Sequence, residues 1–490
     1  MRPVRIYDTL SREVRRFQPR TPPRVGLFVC GLTPYDEAHI GHGRVAVVFD
    51  VVARALTHWG YRVFYVQNVT NIDDKLLRRA AELGAEPLGL AEEHFRSWAR
   101  SMDRLRVRSV NYYPRATDYI PEIIDQVRAL VDRGFAYVAD DGSVYYEVGR
   151  FPDYGKLSGQ RVEALRPGAR LEVDRRKRSA EDFVLWKAAT PGEPSWPSPW
   201  GPGRPGWHIE DTAITGRLLG PQYDLHGGGL DLKFPHHEAE IAQSEGATGL
   251  APMVAFWMHS GLLTLRGEKM SKSLGNVRSL ASTIDSEGGE VLRFYYLNAH
   301  YRNPLDFDPA TSFAEAREAY RRLREPFDRL TERSRSMGPG GTTELPDELA
   351  DAADELEDRL DELLADDFRT REPIAELFGW GRRVVEWLDR TPDPSPSACE
   401  TLLLPYRWGE EVLGLFPAPD REAGDRTLDR VVAAALAARA RARQRGDFAE
   451  ADRIRTELLA AGILVEDRGG SSTWRHRPAD GATEASTTTD

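Results

Sequence analysis

Seven of the 11 histidines fall in two stretches of the chain: His39 and His42 in one, and His208, His226, His236, His237 and His259 in the other. Clustered imidazoles make a better site candidate than a lone one, because each can titrate near neutrality, hydrogen-bond through two nitrogens, or ligate a metal. In AHIGHG, His39 and His42 are three residues apart, and Gly41 between them offers no side chain to block a flat ligand. At a helix start the unsatisfied N–H groups and the helix dipole favour phosphate, and imidazoles can hydrogen-bond to charge that develops on it. Taken alone, the same four residues also suit two capping histidines.

A second pattern is GEKMSKSLGN. The chain carries 66 Lys+Arg, of which seven are lysine, and two of those seven, Lys269 and Lys272, lie in this segment. Lysine is a compact, mobile point charge able to follow phosphates through a changing geometry, and a glycine-flanked loop can close and reopen. The third pattern is HHEAE, in which His236 and Glu240 are four apart and share a helix face. With Cys30 as a thiolate and Asp211 as a fourth donor, the pair makes an S, N, O, O set suited to tetrahedral zinc. The same residues also read as a polar helix face with Cys30 as a small buried residue.

The elements that must position these groups follow from the apolar pattern. RVGLFVCG, a helical stretch from about Gly41 to Trp59, and YRVFYVQNVT predict a strand, a helix and a parallel strand, the start of a doubly wound α/β fold. Ligands in such sheets sit at the carboxyl ends of the strands, here the turn from Cys30 to His42. An insertion is expected over about 116–200, helical and then hairpin-like between Thr117 and Val148. It closes in the Pro/Gly/Trp-dense run from Pro191 to Trp207, which suits neither regular helix nor central sheet. Short strands, a glycine-rich turn at Gly227–Gly229 and a helix opening near Pro235 would complete the sheet, with the lysine loop within 261–307. The expected division is a Rossmann-like catalytic domain over 1–307, a helical bundle over 308–420, a small domain over 421–478 built from a helix pair and a short strand, and a disordered tail over 479–490. TPDPSPS reads as a linker.

Length and composition bound the rest. With 490 residues, 41% hydrophobic and 29% charged, the chain can bury several cores. A formal net charge of -11 excludes a binder that holds nucleic acid by bulk attraction, so any such contact needs a local basic face. Arg439, Arg441, Arg443 and Arg445 offer one, at i,i+4 spacing. Two cysteines, Cys30 and Cys399, exclude a disulfide framework and a multi-cysteine zinc site. No apolar run approaches the roughly 18 to 20 residues of a membrane span, and the start lacks a secretory core, so a cytoplasmic protein is expected.

AHIGHG and KMSKS, in this order on this scaffold, resemble the two signature motifs of class I aminoacyl-tRNA synthetases. FVCGLTPYD, NVTNIDDK, SWPSPWGPGRPGWHIE, DLHGGGLDLKFPHHEAEIAQ and FWMHSG resemble the cysteinyl-tRNA synthetase family in particular, and GDFAEADRIRTELLAAGILVED is similar to its small anticodon-binding domain. The resemblance implies activation of L-cysteine by ATP, with Mg2+, to an adenylate and transfer of the cysteine to the terminal ribose of tRNA(Cys), by a monomer. It implies that His39, His42 and Gly41 hold ATP and its pentacoordinate phosphate, that Lys269 and Lys272 neutralise the departing pyrophosphate, and that Asp231 meets the ribose. Thr33, Thr70, Trp207 and His226 would line the amino-acid pocket, while Arg439, Arg443 and Trp474 would contact RNA.

One zinc ion per chain is implied at Cys30, Asp211, His236 and Glu240, where it would bind the substrate thiolate and so separate cysteine from serine. Asp211 departs from the family, which usually places a second cysteine there. Two other readings compete: a cysteine ligase acting on an amino sugar, which would lack the final small domain, and a synthetase-like paralogue with altered specificity or with its chemistry lost, which the intact signature motifs oppose.

Overall fold

The computed structural model describes residues 1–160, 176–269, 277–336 and 342–417, and beyond them 447–460, 463–468 and 471–476 with single helical residues between 432 and 443. Lys272 and the tail over 479–490 lie outside the described residues, as does the side chain of Lys269. The chain divides into two compact units, 1–416 and 417–490.

A hairpin, β1 (Arg5–Asp8) and β2 (Glu13–Arg16), opens the first unit. Then come β3 (Arg24–Leu32), α1 (Ile40–His58) and β4 (Arg62–Val69), with β3 and β4 paired in parallel as expected. β3 is mostly apolar and β4 is buried over its second half, where both sheet faces are covered. Helices α2 (Asp74–Leu83), α3 (Pro87–Arg104) and α4 (Ile120–Asp132) lead into an antiparallel sheet of β5 (Ala136–Val138), β6 (Val144–Tyr146), β7 (Phe183–Ala188) and β8 (Gly203–Pro205), in that order. The Pro/Gly/Trp run supplies β8, which as an edge strand has partners on one side only.

The chain then returns through α5 (Ile209–Leu218), β9 (Tyr223–Gly229), α6 (His236–Thr248) and β10 (Val254–Ser260). The core sheet has the order β10-β9-β3-β4, all parallel. The three glycines expected in a turn instead end the buried strand β9. A Cβ on Gly227 would lie 2.3 Å from the Phe49 ring, one on Gly228 2.9 Å from His237, and one on Gly229 2.7 Å from Asp231. Glycine is there for close approach within the strand, and no reversal of the chain requires it.

After β10 come β11 (Leu263–Leu265), β12 (Glu268–Lys269), α7 (Leu280–Glu287), α8 (Gly289–Leu297) and β13 (Leu305–Phe307), with β11 between the other two strands. The helices α9 (Ser312–Ser336), α10 (Asp347–Ala365), α11 (Arg371–Arg390) and α12 (Pro396–Leu413) follow. TPDPSPS is a pinned corner between α11 and α12. Thr391 and Ser395 are buried, the Ser395 N–H donates to the Thr343 carbonyl, and the Ser395 hydroxyl caps α12. One apolar cluster runs unbroken from Leu27 and Val47 through Phe294 to Leu330, Leu377 and Tyr406, so the bundle and the sheet share a core. In the second unit a helix (Phe448–Ala460) precedes an antiparallel pair, Ile463–Arg468 with Ser471–His476. Two strands therefore stand where one was expected. Their register sets Trp474 opposite Val465.

Candidate active site and metal centre

α1 begins where the chain leaves β3, and its cap is made by the signature histidines themselves. His39 is the N-cap: its Nδ1 accepts from the Gly41 N–H at 3.2 Å, while His42 Nδ1 accepts from the His39 N–H at 3.1 Å. The rings stack with centroids 3.7 Å apart. With both Nδ1 atoms accepting, the neutral rings carry their protons on Nε2. The two histidines therefore cap the helix, as the plainer reading of the sequence has it, and both line a cavity. One turn on, the buried Arg44 donates to the carbonyls of Gly261 and Leu262 at 2.9 Å and of Asn303 at 2.6 Å, tying the helix start to the segment after β10.

A cavity of about 380 Å³ opens at the carboxyl ends of the parallel strands. Cys30, Thr33, His39, Gly41, His42, Thr70, Trp207, Asp211, Asp231 and His236 line it together, from segments spread over two hundred residues. His226 and Glu240 stand behind this wall, fully buried. Lys75 also lines the cavity, its ammonium 5.7 Å from the Tyr35 ring and 6.0 Å from that of Trp207. Its position in NVTNIDDK was the signal available for it. In the second unit Arg443 is exposed and Arg439 is buried, which takes Arg439 off the exposed face expected for it.

Below the cavity, Cys30 Sγ lies 3.4 Å from Asp211 Oδ2 and 3.7 Å from Glu240 Oε1, and His236 Nε2 lies 2.9 Å from Asp211 Oδ2 and 3.3 Å from Glu240 Oε1. Cys30 lies two residues before the end of β3, Asp211 is in the first turn of α5, and His236 and Glu240 share one face of α6. The remaining nitrogen of His236 is 2.7 Å from His208 Nδ1, and its ring stacks on Trp207 at 4.5 Å. Asn68 Nδ2 donates to the other oxygen of Asp211, and the Thr70 hydroxyl donates to Glu210. Outer contacts of this kind orient metal ligands. Glu240 Oε2 accepts no hydrogen bond among the described residues although the side chain is fully buried.

The electrostatics ask for a cation. Burial pushes the Cys30 thiol well up, and the nearby Glu240 and Asp211 charges add to it. Burial likewise raises Glu240, with Asp211 reinforcing the shift. His226 and His237 are driven well below neutrality by burial and then by neighbouring histidines, so both are neutral bases. A soft thiolate, an imidazole and two carboxylates at tetrahedral spacing, one oxygen among them unpartnered, fit a zinc-sized dication, whose charge reverses the penalty on the thiolate.

Residues 16–317 match the family model for tRNA synthetases class I (C), catalytic domain, and residues 425–475 match that of the cysteinyl-tRNA ligase anticodon binding domain. A cysteine–tRNA ligase of Alkalilimnicola ehrlichii is 46% identical over 478 residues, covering 96% of this chain and 99% of that one. One from Heliobacterium modesticaldum is 42% identical over 480 residues at the same coverage. In fold, the chain is similar to Mycobacterium tuberculosis methionyl-tRNA synthetase in complex with methionyl-adenylate, with a TM-score of 0.57 at 15% identity over 80% of this chain and 92% of that one. Signature histidines capping the first sheet helix, a cysteine-bearing donor set beneath the same cavity, and identity along nearly the whole length agree: the chain belongs to the cysteine–tRNA ligase family of class I tRNA synthetases.

Proposed function

We propose that this chain activates L-cysteine with ATP and transfers it to the terminal ribose of tRNA(Cys), using Mg2+-bound ATP and one zinc ion. The observation that carries the reading is a single cavity whose rim holds the stacked His39 and His42 and whose floor holds Cys30, Asp211 and His236. The Nε2–H groups of His39 and His42 meet the α-phosphate of ATP as charge accumulates on it, with Gly41 leaving room for the nucleotide. Lys269 and Lys272 neutralise the departing pyrophosphate, and Asp231 takes the ribose. Thr33, Thr70 and Trp207 bound the amino-acid pocket, with His226 behind its wall. The cysteine carboxylate is thereby placed against the phosphate, and no covalent enzyme intermediate is needed.

Cys30, Asp211, His236 and Glu240 would hold the zinc, which supplies a soft Lewis acid for the substrate thiol. We take 1–307, with its insertion, as the catalytic domain, 308–420 as the bundle and 421–478 as the RNA-reading domain, where Arg443 and Trp474 contact tRNA. No described helix is long and apolar enough to cross a membrane; we take the protein to act as a cytoplasmic monomer. The anticodon-domain match over 425–475 disfavours an amino-sugar acceptor.

The test is ATP–pyrophosphate exchange across the twenty amino acids, with and without a zinc chelator. Exchange with cysteine alone, lost on chelation, is expected; exchange with serine, or none, would overturn the reading.

A further inference from the structure

The proposed zinc set does not exhaust the donors around Cys30. His237 Nε2 lies 3.1 Å from Cys30 Sγ and His226 Nε2 3.4 Å from it, while Glu240 faces both rings, Oε2 at 3.5 Å from His226 Nε2 and Oε1 at 4.0 Å from His237 Nε2. With the Cys30–Glu240 separation of 3.7 Å, these are close to the roughly 3.3–3.8 Å edges of a tetrahedron built on bonds of about 2.0–2.3 Å. We propose that the buried chamber holds a second position for the same ion, built from Cys30, His226, His237 and Glu240. It shares Cys30 and Glu240 with the first position, so only one of the two is filled at a time.

Three observations support the second position. The far nitrogens of its imidazoles are already anchored, His226 Nδ1 at 2.6 Å from the Tyr223 hydroxyl and His237 Nδ1 at 2.9 Å from His259 Nε2, which leaves each Nε2 directed at the chamber. The orphaned oxygen of this buried site, Glu240 Oε2, is the one that faces His226. In the first set Asp211 has both oxygens engaged within the protein, His236 on one and Asn68 on the other.

Chemistry points the same way. With a carboxylate at 211, the first set offers one thiolate, one imidazole and two hard oxygens, whereas the second offers one thiolate, two imidazoles and one oxygen, the better match to borderline-soft zinc. Of the first set, Cys30, Asp211 and His236 line the cavity; of the second, Cys30 alone does. The first position is therefore substrate-facing and the second withdrawn from the cavity.

This inference rests on the zinc reading above, and the test separates the two. Zinc content and X-ray absorption, in which multiple scattering counts coordinated imidazoles, are measured on the zinc-loaded full-length protein and on Asp211→Asn and His236→Gln. Each variant removes a donor of the first set and leaves the second intact, and circular dichroism checks that each is folded. Both are expected to keep one zinc per chain with two imidazoles, and adding His237→Gln to Asp211→Asn is expected to release it. A single imidazole, or loss of zinc from the single variants while the unmodified protein stays loaded, overturns the second position. An unmodified protein that takes up no zinc overturns the zinc reading itself.

Discussion

Asp211 is held on both oxygens, by Asn68 on one and by His236 on the other, with Cys30 also beside the second. A harder donor should bind borderline-soft zinc less firmly than a thiolate. Asp211→Cys should accordingly slow zinc loss to a competing chelator and sharpen discrimination against serine in pyrophosphate exchange; faster loss would contradict the donor role. Cys30 belongs to both proposed ion positions, so Cys30→Ser should empty the chamber, measured as zinc per chain. A lysine that meets only the developing pyrophosphate charge, the role proposed for Lys272, should act on rate. Lys272→Ala is expected to reduce cysteine-dependent exchange by about a hundredfold to a thousandfold, with a far smaller change in the KM for ATP. Equal losses in both would mean ordinary ground-state binding.

Among the elements, α1 carries the largest load, because it presents the histidines at one end and meets the bundle at the other. Midway along it, the fully buried Asp50 pairs with Arg293 of α8 at 2.6 Å and with Arg54 at 2.8 Å. Burial alone would raise the Asp50 carboxyl, but the two guanidinium groups outweigh it and hold the group below its usual range. Arg293 also donates to the carbonyls of Leu413 and Leu105, so its removal strands several buried acceptors. Arg293→Leu should cost about 3–5 kcal/mol, read by denaturant unfolding.

At the helix end, His58 is 3.0 Å from Glu411 of α12 and 3.5 Å from Asp361 of α10. The hydrogen bond to Asp361 foremost, and that to Glu411, lift it from 6.5 to about 9 against the effect of burial. A base whose pKa is raised on folding stabilises fully below its unfolded value, and that contribution fades as pH climbs through the folded one. The melting-temperature gap between the native chain and His58→Gln should thus be widest below pH 6.5 and close above about 9. A gap that is independent of pH would exclude the charged pair.

For the molecule as a whole, the consequence lies in the division at Phe416. Among the described residues, the first unit has its own apolar clusters, and the second has a small one around Val432, Leu458, Ile463 and Val465. A chain ended after Phe416 should therefore retain cysteine-dependent exchange and lose tRNA charging. Retained charging would remove the small unit from RNA recognition, and lost exchange would show the units to be interdependent. In a protein of net charge -11, the binding of tRNA to the full chain should also weaken steeply with salt, as local basic contacts demand.

Spacing within one element was readable because it is local. The strand–helix–strand start, the i,i+3 histidines at a helix entrance and the i,i+4 pair of HHEAE follow from periods of two and 3.6 residues, which hold wherever the element ends up. The RVGLFVCG pattern likewise puts Cys30 near the end of a strand. Its partners are another matter, since Asp211 and Glu240 lie 181 and 210 positions away and meet it because β9 runs beside β3. The same adjacency turns His226 and His237 toward Cys30 and sets Gly227 of a buried strand against Phe49. Sequence alone determined which chemical groups the protein carries and in which local frames. Only the tertiary structure decided which of them share a chamber, because strand order and burial arise from contacts between segments that the chain's local patterns do not encode.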